Sequence, residues 1–597
     1  MTLAAVLRLA VLGRVPTNPY YDAAVRSMGT SAAALLSGAF EPGRRVAIDK
    51  PPVDLWLQVA STRLLGFDGV ALLLPEALGG IALVAALMWL LRTLLDRGAA
   101  LAGGLALAVA PSAVIVARSD TMDAVMAALA VAGAAVVARA ARGGRLWPLA
   151  GAGVLLGLAF EVKLAEALLP VCAAMALWVL AGPRERRARA LGLGLLGGAF
   201  VASALAWLAV VSAVPLHPRP WALGASDGSP WRAALVYNGT ARLLGSGNAP
   251  TAGGAYARPT PREALALAHR AREHAAALAR RPAPPGPLRL LSSHAHLGTW
   301  IGLEAVAALA ALAVALALGR WRGLDRTGRG GLLMLGLWLV GGLALCSAMP
   351  ELRPRYLACV DPAVAAGLGA GVALAVRARP RGMRIAGAAA LCTVLAVPLA
   401  TAVGAVARGV QVSGRTGAMP AARVAALSGF LRAHTAGAAD EVAVSAPAKA
   451  GPLIARDGRP VLILSDGQGN QLVSPAALAR AVATGRVRYA LLGDSCSPAS
   501  GNQRTGCLPV VAWARSHGVD VSAAAGQPHR GALYALSPSA RVAGAAGCGR
   551  TATSATSRRT ARAAPGSAGR RASRARRRRG ARAPRASRRC NGATRSR

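Results

Sequence analysis

The run Arg44-Arg45-Val46-Ala47-Ile48-Asp49-Lys50-Pro51-Pro52-Val53-Asp54-Leu55-Trp56 sets a carboxylate, an ammonium and two prolines side by side, just ahead of a long apolar stretch. Asp49 can take a proton or bind a sugar hydroxyl, and Lys50 is a point charge suited to phosphate. Pro51 and Pro52 fix φ and bias the residue ahead of each towards extended backbone, so the pair is held in a turn. Alone, this turn equally fits a charged connection ahead of a membrane helix. The placing of the other charges decides between the two.

The chain has 597 residues and is 54% hydrophobic, which is too long and too apolar for one soluble domain and points to a polytopic membrane protein. A formal charge of +44 invites a nucleic-acid reading. Its distribution argues against one. Residues 550–597 hold seventeen Arg and no acid in a Ser/Ala/Gly/Pro background that cannot bury a core, so 546–597 reads as a disordered basic tail. Much of the remaining charge forms short Arg clusters between apolar runs, where cytoplasmic loops belong.

Residues 1–13 are apolar but short, and Arg8 interrupts them. With the first outer loop they make a segment 1–69. Membrane helices then fill 70–214, with runs near 70–91, 98–117, 121–140, 147–160, 164–181 and 190–214. Glu161 and Lys163 interrupt 147–181, which fits either a helical hairpin or one long helix with a buried pair. A long outer loop covers 215–298. Further runs near 299–319, 330–348, 358–376 and 385–408 fill 299–408 and bring the expectation to about 10–11 membrane helices. Threaded in this order, the clusters at Arg92/Arg97, Arg139–Arg145, Arg184–Arg189, Arg320–Arg329 and Arg377–Arg384 all fall on one side, the cytoplasm by the positive-inside rule. The other side receives Asp49 and Lys50, Asp120, the Arg353-Pro354-Arg355-Tyr356 run and everything after 409.

Residues 409–545 change character. Helix-like stretches (419–434, 475–484, 508–517) alternate with short apolar strands (441–446, 461–465, 487–493, 532–536), a pattern of an extracytoplasmic α/β domain. Asp466-Gly467-Gln468-Gly469-Asn470 reads as a turn and not a phosphate loop. Cys496 and Cys507 flank a polar loop and are placed for a disulfide in an oxidising compartment. Cys172, Cys346, Cys359 and Cys392 fall in apolar runs and read as small core residues. His294 and His296 lack an acid cluster and read as solvated or interfacial, not as metal ligands.

A membrane enzyme facing outward lacks nucleotide donors, so its activated substrates are lipid-linked. Such a site needs cations for a lipid phosphate and a carboxylate to activate an acceptor hydroxyl. Lys50, Arg353 and Arg355 are the cation candidates; Asp49, Asp120 and Asp22 are the carboxylate candidates.

The segments Asn18-Pro19-Tyr20-Tyr21-Asp22, Asp49-Lys50-Pro51-Pro52, Arg118-Ser119-Asp120-Thr121-Met122-Asp123, Val236-Tyr237-Asn238-Gly239-Thr240-Ala241-Arg242-Leu243-Leu244-Gly245 and Leu352-Arg353-Pro354-Arg355-Tyr356 together resemble those of family 39 glycosyltransferases. That family has the GT-C fold and includes the protein O-mannosyltransferases and lipid A aminoarabinose transferases; the likeness is to a largely actinobacterial branch. The resemblance implies inverting transfer of a mannosyl- or arabinosyl-type sugar from a polyprenyl-phosphate carrier to a protein, lipid or polysaccharide acceptor at the outer face of the plasma membrane. It puts Lys50 on the carrier phosphate, with Arg355 assisting, and Arg353, Tyr356 and Tyr21 beside them. The family places its general base in an acidic pair at the start of the first outer loop. Here Thr17 and Asn18 stand there, and neither can take a proton at neutral pH. Asp49 or Asp120 then inherits the role, with Asp22 also near. A divalent cation stays open as a helper, and nucleic acid is not expected. Two other classes compete: a transporter or flippase of a lipid-linked substrate, and a non-catalytic scaffold whose outer domain binds wall polymer.

Overall fold

The computed structural model describes residues 1–215, 219–241, 284–292, 297–350, 352–376, 380–414, 416–493 and 503–537. His294, His296, Arg242 to Gly245, Arg377, Arg379, Cys496, Cys548, Cys590 and the Arg-rich tail lie outside them. All that follows belongs to one unit, Met1–Ala543.

Aspartates start several membrane helices. Asp68, Asp96 and Asp325 accept from the backbone N–H of Ala71, Ala99 and Gly328 at 2.8, 2.9 and 2.7 Å, opening the helices Gly69–Leu94, Arg97–Val109 and Arg326–Ala348. Each supplies one acceptor to a helix end that otherwise leaves N–H groups unpaired. Among the described residues, five helical stretches are long and apolar enough to cross a membrane: Gly69–Leu94, Asp123–Gly143, Pro148–Ala181 (which reverses at Leu164–Ala167), Trp300–Ala317 and Arg326–Ala348. The pair Arg186–Ala204 and Ala206–Ala213, bent by 44°, makes a sixth. Shorter apolar helices at Arg97–Val109, Asp361–Val376 and Leu391–Ala407 complete the bundle. The chain is a multi-pass helical membrane protein.

The run 98–117 is not one span. Pro111 has no N–H to give the Leu107 carbonyl, so the first helix stops at Val109 and a second, Pro111–Val116, begins. Arg8 fills the gap. Its guanidinium donates to the carbonyls of Leu107 and Ala108, both at 3.2 Å. Arg118 in turn donates to Leu7, Arg8 and Ala10 at the end of the first helix, Thr2–Leu9. Two arginines that look costly in an apolar sequence thus satisfy two broken helix ends.

The stretch 148–181 is a hairpin. Lys163 pairs with Asp123 at 2.8 Å, at the start of Asp123–Gly143. At the far end of that helix Arg142 pairs with Asp325 at 3.2 Å, and Gly330 packs on Ala181. Residues 163 and 181 therefore lie at opposite ends of the bundle, and the chain reverses at Leu164–Ala167. Glu161 accepts from the Trp207 N–H at 2.7 Å, a donor freed by the bend at Leu205. Gly328 also packs on the Leu94 carbonyl, and Gly98 on Ala373. The ends near Arg92, Arg142, Arg184 and Arg326 accordingly gather at one end of the bundle. Of the cysteines, Cys346 and Cys359 are buried, while Cys172 and Cys392 sit exposed on the outer faces of their helices and are not core residues.

At the other end, strand β1 (Val46–Ala47) pairs in parallel with β2 (Trp221–Ala222), tying the segment ahead of the Asp49-Lys50 turn to the chain just past the bent helix pair. A second sheet follows the bundle, with strands β3 (Ala443–Val444), β4 (Leu462–Ile463), β5 (Tyr489–Leu491), β6 (Gly518–Asp520) and β7 (Leu533–Leu536) in the order β4-β3-β5-β7-β6. The first three are parallel and β7 and β6 antiparallel. Its core is Leu464, Leu478, Val487, Val510 and Val511. The helix Pro447–Asp457 is not among the expected helix-like stretches; Pro447 stands at its first position, where no N–H is needed, and Pro452 lies inside it.

Candidate functional site

The Asp49-Lys50-Pro51-Pro52 turn is fixed from both sides. Ahead of it, the Phe40 N–H donates to the Val46 carbonyl and the Ile48 N–H to the Gly38 carbonyl, both at 2.9 Å. Behind it, Pro52 opens the helix Val53–Leu65. The turn lies at the floor of a cavity of about 1390 Å³. Lys50 is buried, its ammonium 3.4 Å from Asp49 Oδ1 and 3.2 Å from the Tyr21 hydroxyl, and it stands 5.4 Å above the Tyr21 ring. Asn238 donates through Nδ2 to the Asp49 carbonyl at 2.6 Å and to Asp49 Oδ2 at 3.2 Å. Arg353 and Arg355 close the same floor, and Arg355 lies 5.6 Å over the Tyr356 ring. Burial raises the Tyr21 phenol, but the positive charges of Lys50 and Arg355 outweigh it and leave Tyr21 below its ordinary value.

The three carboxylates separate. Asp49 lines the cavity. Asp120 is fully buried beneath it, accepting from the Asn18 N–H at 3.3 Å and from Gln58 Nε2 at 3.0 Å. Burial, with the nearby Asp22, pushes it well above the carboxylate range. Asp22 accepts from the Thr17 hydroxyl at 2.6 Å and is pushed up to about 7 by burial, which the Thr17 hydrogen bond offsets only in part. Neither Asp120 nor Asp22 lines the cavity, and nor does Tyr356, which is packed behind Arg355. Asn18 and Thr17, at the place of the absent acidic pair, instead hold these two buried carboxylates.

The cavity has a roof. Ser445, Lys449, Asp466, Arg515 and Tyr534 of the second sheet and its loops line the side facing Lys50. The helix Pro447–Asp457 packs on Pro19–Met28, with Gly451 against the Pro19 carbonyl, and Arg45 pairs with Asp440. The sequence reading missed this roof and the role of Asn238. Asn238 could have been found within the Val236–Gly245 segment that carries part of the resemblance; the roof residues carry no comparable signal. Cys507 is disulfide-bonded. Among the described residues no group of three or more His, Cys, Asp or Glu is placed to hold a metal ion.

A bundle of apolar helices, with a cavity at one end under an α/β layer, defines a GT-C membrane fold. The crystal structure of ArnT from Cupriavidus metallidurans in the apo state shares it, with a TM-score of 0.50 at 15% identity over 82% of this chain and 91% of that one. Residues 49–211 match the family described as dolichyl-phosphate-mannose-protein mannosyltransferase. Two proteins of Bacillus subtilis (strain 168), YycA and YkcB, both provisionally named mannosyltransferases, are 32% and 29% identical over 229 and 228 residues. The match takes in 38% of this chain and spans about a third of the curated relatives' length, 33% and 32%.

Proposed function

We propose that the protein transfers a sugar from a polyprenyl-phosphate carrier to an acceptor hydroxyl, at the face of the membrane away from the Arg clusters. The observation that carries this reading is the pairing of Lys50 with Asp49 on the cavity floor, beside Arg353 and Arg355. The positive-inside rule puts the arginine end in the cytoplasm and the cavity outside. The match of residues 49–211 supports a mannosyl-type donor.

In the proposed step the acceptor oxygen attacks the anomeric carbon from the side opposite the phosphate. The new C–O bond forms as the bond from carbon to phosphate oxygen breaks, which inverts the centre. Asp49 takes the hydroxyl proton, and Asn238 fixes that carboxylate by donating to it. Lys50 and Arg355 hold the departing carrier phosphate, whose charge rises as the bond breaks. Tyr21 positions the Lys50 ammonium.

The test is transfer from labelled polyprenyl-phosphate sugars in membranes carrying wild type, Lys50→Ala or Asp49→Asn at matched expression. Turnover in the wild type that both substitutions abolish supports the reading. Wild-type turnover that survives both removes the site assignment, and no turnover with mannose, arabinose, glucose or galactose donors removes the reading itself.

A further inference from the structure

The cavity carries more positive charge than a single carrier phosphate requires. Lys50, Arg353 and Arg355 stand on its floor, and Arg423, Lys449, Arg515 and Arg530 on its roof. Against them, Asp49 and Asp466 are the only carboxylates among the described lining residues. Asp466 is committed to its own loop. Its Oδ1 accepts from the Gln468 and Asn470 N–H groups at 2.8 and 3.0 Å, and its Oδ2 from Asn470 Nδ2 at 2.7 Å.

The roof is also shaped as a binding crevice. The order β4-β3-β5 means that the chain leaves β3 on one side and later returns past it to the other. Loops at the carboxyl ends of such strands diverge and leave a crevice between them. Ser445 and Lys449 follow β3, Asp466 follows β4 and Gly493 follows β5, and all four line the cavity. Lys449 crosses this crevice. A Cβ on Gly493 would fall 2.2 Å from the Lys449 ammonium nitrogen and 2.1 Å from its Cε. Glycine at 493 is therefore what lets the ammonium lie there. Arg515 holds the same glycine from the other side, donating to its carbonyl at 3.1 Å and to that of Gly506 at 3.0 Å. The Lys449 side chain makes no hydrogen bond or ion pair among the described residues, whereas Asp466 and Arg515 of the same roof are tied down.

Resting on the transferase reading above, we infer that the roof is a second anion subsite centred on Lys449, and that the acceptor carries a phosphate close to the hydroxyl that is glycosylated. The donor phosphate sits on the floor and the acceptor phosphate on the roof, with the reacting atoms between them beside Asp49. A strongly hydrated point charge at the end of a crevice suits a tetrahedral phosphate, whereas the planar fork of Arg515 is already taken by two carbonyls. The roof belongs to a sheet and not to the apolar helices, so the phosphate is borne on a polyol or glycan head that stands clear of the hydrocarbon, either free or as a lipid headgroup.

Purified full-length protein in nanodiscs is titrated with glycerol phosphate, with glycerol, and, by inclusion in the bilayer, with phosphatidylglycerol. Polyprenyl phosphate is titrated separately to report the floor. Glycerol phosphate binding should weaken about tenfold or more in both Lys449→Gln and Gly493→Ala, and polyprenyl phosphate binding should not change in either. Gly493→Ala meets only the flexible end of a lysine, so it tests the position of the ammonium without removing it. Competition by phosphatidylglycerol identifies a lipid-borne acceptor; its failure to compete identifies a free one. Equal binding of glycerol and glycerol phosphate overturns the inference, as does no binding of glycerol phosphate or binding that Lys50→Ala weakens and Lys449→Gln does not. Loss of polyprenyl phosphate binding alone counts against the transferase reading and leaves the roof subsite supported.

Discussion

Arg45 and Asp440, 395 positions apart in the chain, are joined through both terminal guanidinium nitrogens, with Nη1 donating to Oδ2 at 3.0 Å and Nη2 to Oδ1. Asp440 also accepts from Arg486 Nε at 2.8 Å, and Arg45 from its Nη2 reaches the Val461 carbonyl at 3.1 Å. The pair joins the segment ahead of the Asp49-Lys50 turn to the roof. Asp440→Asn leaves Arg45 with a weakened partner in a largely buried place; the Arg45 side chain keeps only 23% of its surface exposed. Arg45 keeps Glu41 at 3.3 Å, so a loss of roughly 1.5–3 kcal/mol in docking is expected, the range for a hydrogen bond to a charged group. Limited proteolysis of the variant should release the roof far faster than in the wild type. Equal cleavage rates would show that the pair does not hold the roof down.

Lys50→Ala and Lys50→Arg should both slow transfer, by about 10²–10³-fold, the size of effect seen when one donor to a developing anion is removed. The arginine fails because the space between Asp49 and the Tyr21 hydroxyl fits an ammonium, not a planar fork. Single-turnover rates with a saturating lipid donor check this. Full activity of Lys50→Arg would refute the point-charge role.

Asp49 and Asp120 should give opposite phenotypes. Asp49→Asn keeps the shape and removes the base, so the rate falls about 10²–10⁴-fold with folded yield unchanged. Asp120→Ala leaves the Asn18 N–H and one N–H of the Gln58 amide, whose other N–H stays on Asp54 at 3.2 Å, buried without an acceptor, at roughly 1–3 kcal/mol each, so folded yield falls first. Yield by size exclusion, with activity per folded molecule, separates the two. A normal yield of Asp120→Ala with no turnover would move the base to Asp120.

Asp22 makes stability depend on pH. Burial raises it to about 7 in the folded chain, against about 3.9 unfolded, so between these values the folded state keeps a proton that the unfolded state has lost. Stability should fall as pH rises from about 4 to about 7 and level off above, by at most about 4 kcal/mol at roughly 1.4 kcal/mol per pH unit. Asp22→Asn removes that slope and should gain most over the wild type at pH 8. Melting curves of both proteins at pH 5 and pH 8 decide; parallel changes would rule Asp22 out as the source.

What could be read from the sequence was whatever is encoded locally. Arg clusters between apolar runs mark helix ends without any knowledge of packing, and the Lys50-Pro51-Pro52 turn is rigid by covalent geometry alone. Depth is not local. Asp120 and Asp49 look alike in sequence, and only the packing of Gln58 and Asn18 shows that one is sealed and the other open. The break at Pro111 was masked because Arg8, a hundred residues upstream, satisfies the carbonyls it frees. Lys449 gave no sign of its position, since that depends on Gly493 across a crevice that exists only once the parallel strands have paired.

The division of the cavity into floor and roof also sets a schedule for biosynthesis. About 400 residues separate Lys50 from Lys449, which is roughly 20–80 s of translation at ordinary rates. The floor is complete once Arg355 has been added, about 95 residues before Lys449, and it stands uncovered for the roughly 5–20 s that then remain. A chain released before β3 is synthesised would insert its helices and hold Asp49 and Lys50 in place, yet have no enclosed chamber. Competence thus arrives as a late, single event at the end of synthesis, when Arg45 finally meets Asp440.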